Sequence, residues 1–267
     1  MSIDGQRIVI TGASSGLGAT LAEVCAAQGA RLALFARRAE RLEEVAVRCR
    51  ERGAEALAVS GDVTRVEDCR RLVANMIAAY EGADALIANA GMSMWARFED
   101  VTDLEVFRRL MEVNYLGVVN CAHALLPELR KSRGMLVAVS SIQGRIGVPL
   151  HTGYVASKHA LQGFCDALRM ELKESGVGVL TVLPHWLRGT ELRRNAFGAD
   201  GNSLEESSRK HSSESISLEE ASSALLMAME RRERELVIPW KLRGLLGLNH
   251  VSPAAAELLI QRAVRKQ

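Results

Sequence analysis

Eight residues near the N-terminus, Thr11-Gly12-Ala13-Ser14-Ser15-Gly16-Leu17-Gly18, restrict the fold of this chain more than any other run in it. They follow an apolar β-branched run, Ile8-Val9-Ile10, that reads as a buried strand. They precede an amphipathic stretch from Ala19 to Gln28 that reads as a helix stopping at Gly29. Strand, glycine-rich turn and helix in that order make a phosphate site. The glycines allow a tight turn and close backbone approach, and the helix N-terminus faces a pyrophosphate. The spacing is GxxxGxG rather than GxGxxG. The strand-turn-helix context argues against an ordinary glycine-rich turn.

The remainder of the chain continues the alternation. Strands are expected near Arg7–Thr11, Arg31–Ala36, Glu55–Ser60, Ala85–Ala88, Met135–Ser140, Gly178–Leu183 and Glu235–Ile238, with helices between them. Such alternation gives an α/β fold, a parallel sheet with helices on both faces. Ligands of such sheets bind beyond the carboxyl ends of the strands. With 267 residues, 48% of them apolar, the chain fits one large domain with a sizeable core. The net charge of +2 gives no argument for nucleic-acid binding.

A second motif carries chemistry. Tyr154 and Lys158 stand in Tyr154-Val155-Ala156-Ser157-Lys158, with Ser141 thirteen residues upstream. On a helix the tyrosine and lysine share a face, one turn apart. An ammonium beside a phenol favours the phenolate and lowers the phenol pKa, which makes a general acid or base. Alone, this spacing also arises between solvated side chains.

With both motifs present, the chain resembles the short-chain dehydrogenase/reductase family, in its single-domain branch, over roughly residues 5 to 240. Further matches in order are Gly61-Asp62-Val63-Thr64, Asn89-Ala90-Gly91, Asn114, Ser140-Ser141 and Pro184. The resemblance implies a Rossmann-type doubly wound parallel sheet of about seven strands. It implies a nicotinamide dinucleotide held by Gly12, Ser14, Ser15, Gly16, Leu17 and Gly18. Asp62 would meet the adenine with Val63 packing nearby. Asn89, Ala90 and Gly91 would lie along the cofactor, and Asn89 would brace the central strands. Tyr154 would be the acid or base, Lys158 would hold the nicotinamide ribose, and Ser141 would bond the substrate oxygen. Asn114, in a helix, would help hold a water leading from Lys158 to solvent. Pro184, Leu187 and Thr190 would meet the nicotinamide end. His185 departs from the family's glycine there, and Thr190 falls one place late.

Cofactor choice is read at the end of the second strand, Ala36-Arg37-Arg38. An acidic residue at that strand end favours NAD, whereas arginines suit a 2′-phosphate. NADP(H) is therefore expected, with NAD(H) the alternative. Ser15 stands where many NADP-using relatives carry a basic residue, so Arg37 is expected to carry most of the selectivity.

Gln143, His151 and Trp186, with Ser141 and Tyr154, are the expected substrate residues. Others near the pocket are Met92, Ser93, Met94, Trp95, Phe98, Arg145, Ile146, Val148 and Leu150. The set is mostly apolar and suggests a hydrophobic ketone or secondary alcohol. Arg145 or Lys210 leaves acyl thioesters open. A single domain is expected over 1–267, with residues 191–216 as a lid over the substrate and 240–267 as a helical tail. That tail could pack on its own domain, cover the substrate cleft, close a dimer or touch a membrane surface. Ala122, Leu125, Phe164, Leu168 and Leu172 could serve either a homodimer or homotetramer contact or the core. Cys25, Cys49, Cys69, Cys121 and Cys165 lack metal-ligand spacing, so no metal is expected. Together with a first strand near the N-terminus, they point to a cytoplasmic protein. The alternative function is a non-redox relative (an epimerase or lyase) or a non-catalytic sensor on the same fold.

Overall fold

A computed structural model of the chain describes residues 2–204 and 215–265. Its sheet contains β1 (Arg7–Thr11), β2 (Arg31–Ala36), β3 (Ala56–Ser60), β4 (Ala85–Ala88), β5 (Met135–Val139), β6 (Gly178–Pro184) and β7 (Glu235–Ile238). The order is β3-β2-β1-β4-β5-β6-β7, and every pairing is parallel. Each expected strand is present, with ends moved by one residue at β3, β5 and β6.

The strands are apolar throughout because both faces are covered. Ile8 and Ile10 of β1 enter one core, Val9 the other. The first core lies under α1 (Gly16–Ala27), α2 (Ala39–Glu51) and α7 (Leu218–Glu230), which bring Leu21, Leu42 and Leu225. The second lies under α3 (Val66–Tyr80), α5 (Gly117–Ser132) and α6 (Thr152–Glu171), which bring Leu72, Leu125 and Leu161. Each such side chain contributes about 1.5–3 kcal/mol on burial.

Helix α1 begins at Gly16, three residues earlier than its amphipathic pattern suggests. Two of the loop's glycines are thus in its first turn. Between β4 and β5 the helical chain is divided into α4 (Glu105–Met111), a π turn over Glu112–Leu116, and α5. Ala122, Leu125 and Leu172 are buried in the second core, so they serve the fold; Phe164 and Leu168 pack partly buried against it.

Beyond β7 the chain forms α8 (Arg243–Val251) and α9 (Pro253–Arg265). Leu242, Leu245, Leu246 and Ile260 pack against Ile142, Ile146, Leu183 and Val237. Within 191–216, Ala196 and Phe197 are buried, and the rest of that expectation, residues 205–214 with Lys210, lies outside the described residues. All five cysteines are free and buried.

Candidate active site

A cleft of about 510 Å³ crosses the carboxyl ends of the strands. It opens at β1 and β4, where the strand order reverses. The glycine loop forms one wall. Gly12 has φ +66°, and a Cβ there would lie 2.8 Å from the Ala90 Cα. A Cβ on Gly18 would collide with the Gly12 carbonyl and with Asn89 Nδ2. Asn89 fills the space so protected. Its Nδ2 donates to the Thr11 carbonyl at 3.0 Å, and the Asn89 and Ala90 N–H groups donate to Thr11 Oγ1 at 3.0 and 3.1 Å. The ends of β1 and β4 are thereby tied together.

These features fit a dinucleotide. The first N–H groups of α1 have no intrahelical acceptor, and the Ser15 side chain caps none of them. Nothing lies closer than 3.7 Å to a Cβ position on Gly16, and the atom at that distance belongs to Thr190 across the cleft. Ser14, Leu17, Asn89, Ala90, Gly91, Pro184 and Leu187 also line it. Thr190 Oγ1 donates to the Leu187 carbonyl at 3.4 Å.

At the adenosine end, Asp62 Oδ1 accepts from Thr64 N and Oγ1, both at 3.0 Å. That is a turn-forming side chain, and Arg65 rather than Asp62 caps α3. Val63 packs so tightly on Gly117 that a Cβ there would lie 2.7 Å from its Cγ2. Arg37 and Arg38 both line the cleft. Arg38 reaches the glycine loop, donating from Nη2 to Ser15 Oγ at 2.9 Å and Ser14 Oγ at 3.3 Å. Its guanidinium therefore lies against the position where other sequences carry a basic side chain. Arg38 Nη1 also pairs with Glu191, as does Arg41, at 3.2 Å each.

At the other end, α6 buries Tyr154 and Lys158 beside Ser141. Lys158 Nζ donates to the Val139 carbonyl at 2.9 Å and lies 5.8 Å from the Tyr154 ring centre. The expected lowering of the tyrosine pKa is overturned. Burial pushes the Tyr154 phenol up to about 12, opposed by a hydrogen bond with Ser141. Burial likewise pulls Lys158 down to about 8. Desolvation disfavours both charged forms, and burial is the largest cause at each. Ser141 Oγ accepts from Gln143 N at 3.2 Å and donates to the Pro184 carbonyl at 3.4 Å. Ser140 is buried, and its hydroxyl has no partner among the described residues.

Asn114 sits in the π turn, a helical irregularity common at functional sites. Its Oδ1 accepts from Met92 N at 2.8 Å. Its Nδ2 donates to the Met92 carbonyl and to Ser157 Oγ, both at 2.9 Å. It thus joins the loop after β4 to α6.

The substrate end is aromatic. His151 Nδ1 bonds the Pro149 carbonyl at 2.9 Å, which places the proton on Nδ1. Burial pulls His151 down to about 4, so the ring is neutral. Trp95 meets it edge-on at 4.7 Å, and Trp186 lies 6.3 Å away. Gln143, Met92 and Ser93 line the same space. Six of the expected pocket residues do not. Met94 is buried under α6, accepting from Gly153 N, and Phe98 is exposed. Arg145 pairs with Glu235 and Asp166. Ile146, Val148 and Leu150 lie away from the cleft lining. Phe197, Glu191 and Arg193, within the expected 191–216 lid but not singled out there, also line the cleft; the Arg193 guanidinium lies 4.4 Å from the Trp186 ring and 5.5 Å from Trp95.

The family model described as short chain dehydrogenase matches residues 6–200. The chain belongs to the short-chain dehydrogenase family. It is therefore an oxidoreductase with a nicotinamide dinucleotide site. Among similar proteins is a dehydrogenase/reductase SDR family protein 7-like protein of Dictyostelium discoideum, 31% identical over 98% of this chain and 82% of the relative. Another is 11-beta-hydroxysteroid dehydrogenase-like 4A of Arabidopsis thaliana, 40% identical over 68% of this chain; the match spans 61% of that relative's length. A short chain dehydrogenase of Burkholderia cenocepacia, solved in complex with NADP, superposes with a TM-score of 0.81 at 28% identity, covering 97% of this chain and 99% of the other.

Proposed function

We propose that this short-chain dehydrogenase interconverts a ketone and a secondary alcohol with NADP(H), on an apolar substrate. The observation that carries the reading is one cleft with two ends. Tyr154, buried beside Ser141, lies at one end, and Arg38, seated on Ser14 and Ser15, lies at the other.

Bound in this cleft, the cofactor supplies or accepts a hydride at the carbonyl carbon. The chain's residues handle the oxygen. The Tyr154 phenol, like an ordinary tyrosine, is protonated at neutral pH and would donate its proton to the carbonyl oxygen. Ser141 Oγ donates to the same oxygen and stabilises its developing charge. Lys158, still an ammonium at neutral pH, holds the nicotinamide ribose and stabilises the phenolate left behind. Asn114 is a positioning residue, fixing Met92 and, through Ser157, the turn that carries Tyr154. In the alcohol-oxidising direction each proton moves the opposite way.

Trp95, Trp186, Met92, Phe197 and the neutral His151 support an apolar substrate. The hydroxysteroid name of the Arabidopsis relative agrees with a bulky one. Residues 191–216 would cover it as a lid. We also place the enzyme in the cytoplasm, as a single-domain homodimer or homotetramer, with Phe164 and Leu168 as the α6 positions left for a contact. No helix among the described residues is long and apolar enough to cross a membrane.

The test is a titration of NADPH and NADH into wild type and Arg38→Ala, read by cofactor fluorescence. Wild type should prefer NADPH, and the variant should lose roughly tenfold of that preference, the scale of a charge-assisted bond. Equal affinity for both cofactors in both proteins would remove the NADP assignment.

A further inference from the structure

Arg38 and Arg41 end on the same carboxylate. Glu191 accepts from Arg38 Nη1 at 3.2 Å and from Arg41 Nη1 at 3.2 and 3.3 Å. It comes from the segment after β6, whereas both arginines belong to the start of α2. Burial works against the charge, but Arg38 and Arg41 hold the Glu191 carboxyl below the usual carboxylate range. It is ionised at neutral pH. Arg37, the residue before Arg38, is exposed and lines the same cleft.

The donors matter more than the charge sum. A guanidinium offers a planar fork of five N–H groups. Arg38 spends Nη2 on Ser15 and Ser14 and Nη1 on Glu191. A phosphate next to Ser15 would need those same donors. With up to two charges and three oxygens it competes well against a single carboxylate. A ribose hydroxyl does not.

Resting on the NADP reading above, we propose that Glu191 is a specificity-determining residue: it occupies the arginine donors that a 2′-phosphate takes, and the phosphate binds by displacing it. The preference for the phosphorylated cofactor is therefore smaller than the arginines alone would give. Removal of the carboxylate raises affinity for the 2′-phosphate and leaves the unphosphorylated ligand alone.

The probes are adenosine 2′,5′-bisphosphate and 5′-AMP, which differ by the 2′-phosphate and carry no nicotinamide. Their dissociation constants are measured calorimetrically on wild type, Glu191→Gln and Glu191→Ala. A third variant, Glu40→Gln, removes a charge from the same helix with no ion pair to either arginine. Both Glu191 variants should bind the bisphosphate roughly three- to tenfold more tightly, the size that two half-exposed ion pairs allow. AMP affinity should stay within about twofold, and Glu40→Gln should match wild type, as expected of a partner-less surface charge. Unchanged or weaker bisphosphate binding in the Glu191 variants overturns the proposal. So does an equal gain for AMP, or an equal gain in Glu40→Gln, since either would be a general field effect. If wild type and Arg38→Ala bind the bisphosphate no better than AMP, the NADP reading itself fails, and that is visible without any Glu191 variant.

Discussion

Two ionisable groups one helical turn apart ordinarily stabilise each other's charge, yet Tyr154 and Lys158 move the other way, to about 12 and about 8. Burial is the largest cause at each. His151 shows the same effect in a pH window that stability measurements reach. Its folded pKa of about 4 lies below the ordinary imidazole value of 6.5. The unfolded chain therefore binds the proton first as pH falls. Stability from the neutral ring is complete above pH 6.5 and is lost progressively down to pH 4. The full loss is on the order of 3 kcal/mol. Urea melts at pH 7 and pH 5 should show a smaller drop for His151→Gln than for wild type; an identical drop would contradict a buried neutral imidazole. Of the site, Tyr154 and Lys158 were legible from their spacing on one helix face, and Ser141 and Asn114 through the resemblance to the family. Arg37 was favoured over Arg38 for the selectivity, although adjacent residues at a strand-helix junction look alike in sequence. What separates them is that Arg38 is the N-cap of α2, a position only the folded backbone defines. Glu191 and Arg193 follow β6 in a segment with no periodicity, so nothing in the sequence placed them at opposite ends of one cleft.

At the scale of elements, the strands were readable because burial on two faces leaves unbroken apolar runs. The π turn was not, since one widened turn at Glu112–Leu116 barely disturbs the apolar pattern of the flanking helices. Helix α7 starts with a capping box. Ser217 Oγ accepts from Glu220 N at 3.1 Å, and Glu220 Oε2 accepts from Ser217 N at 3.0 Å. Ser217→Ala should cost about 1 kcal/mol, measured as a shift in urea midpoint, with cofactor affinity unchanged. A stronger tie joins β1 to β4. Arg7 donates from Nε and Nη2 to both oxygens of Asp84, at 2.9 and 2.8 Å, and its backbone N–H adds a third bond at 2.9 Å. Asp84→Asn should cost roughly 3 kcal/mol, because it leaves a part-buried guanidinium without its counter-charge. A loss below that of Ser217→Ala would show the pair to be dispensable.

The whole molecule places its chemistry where the sheet order reverses. Asn89 locks β1 to β4 there, the glycine loop closes one side, and α6 brings Tyr154 to the other. The tail adds a layer behind Ser141, since Ile142 and Ile146 pack with Leu245 and Ile260. Only the amphipathic pattern of that tail was legible; its docking site depends on long-range packing that no local pattern encodes. A ligand that binds only the folded cleft raises stability by mass action. Excess NADPH at about 100 times its Kd should add about 2.7 kcal/mol. The most direct test of the account follows NADPH consumption with a panel of bulky apolar ketones, on wild type and Tyr154→Phe, alongside NADPH binding by each. The account predicts similar binding by both proteins and turnover at least about 10²-fold faster in wild type, the contribution of a positioned proton donor. Comparable turnover by the two, or no NADPH binding by wild type, would contradict it.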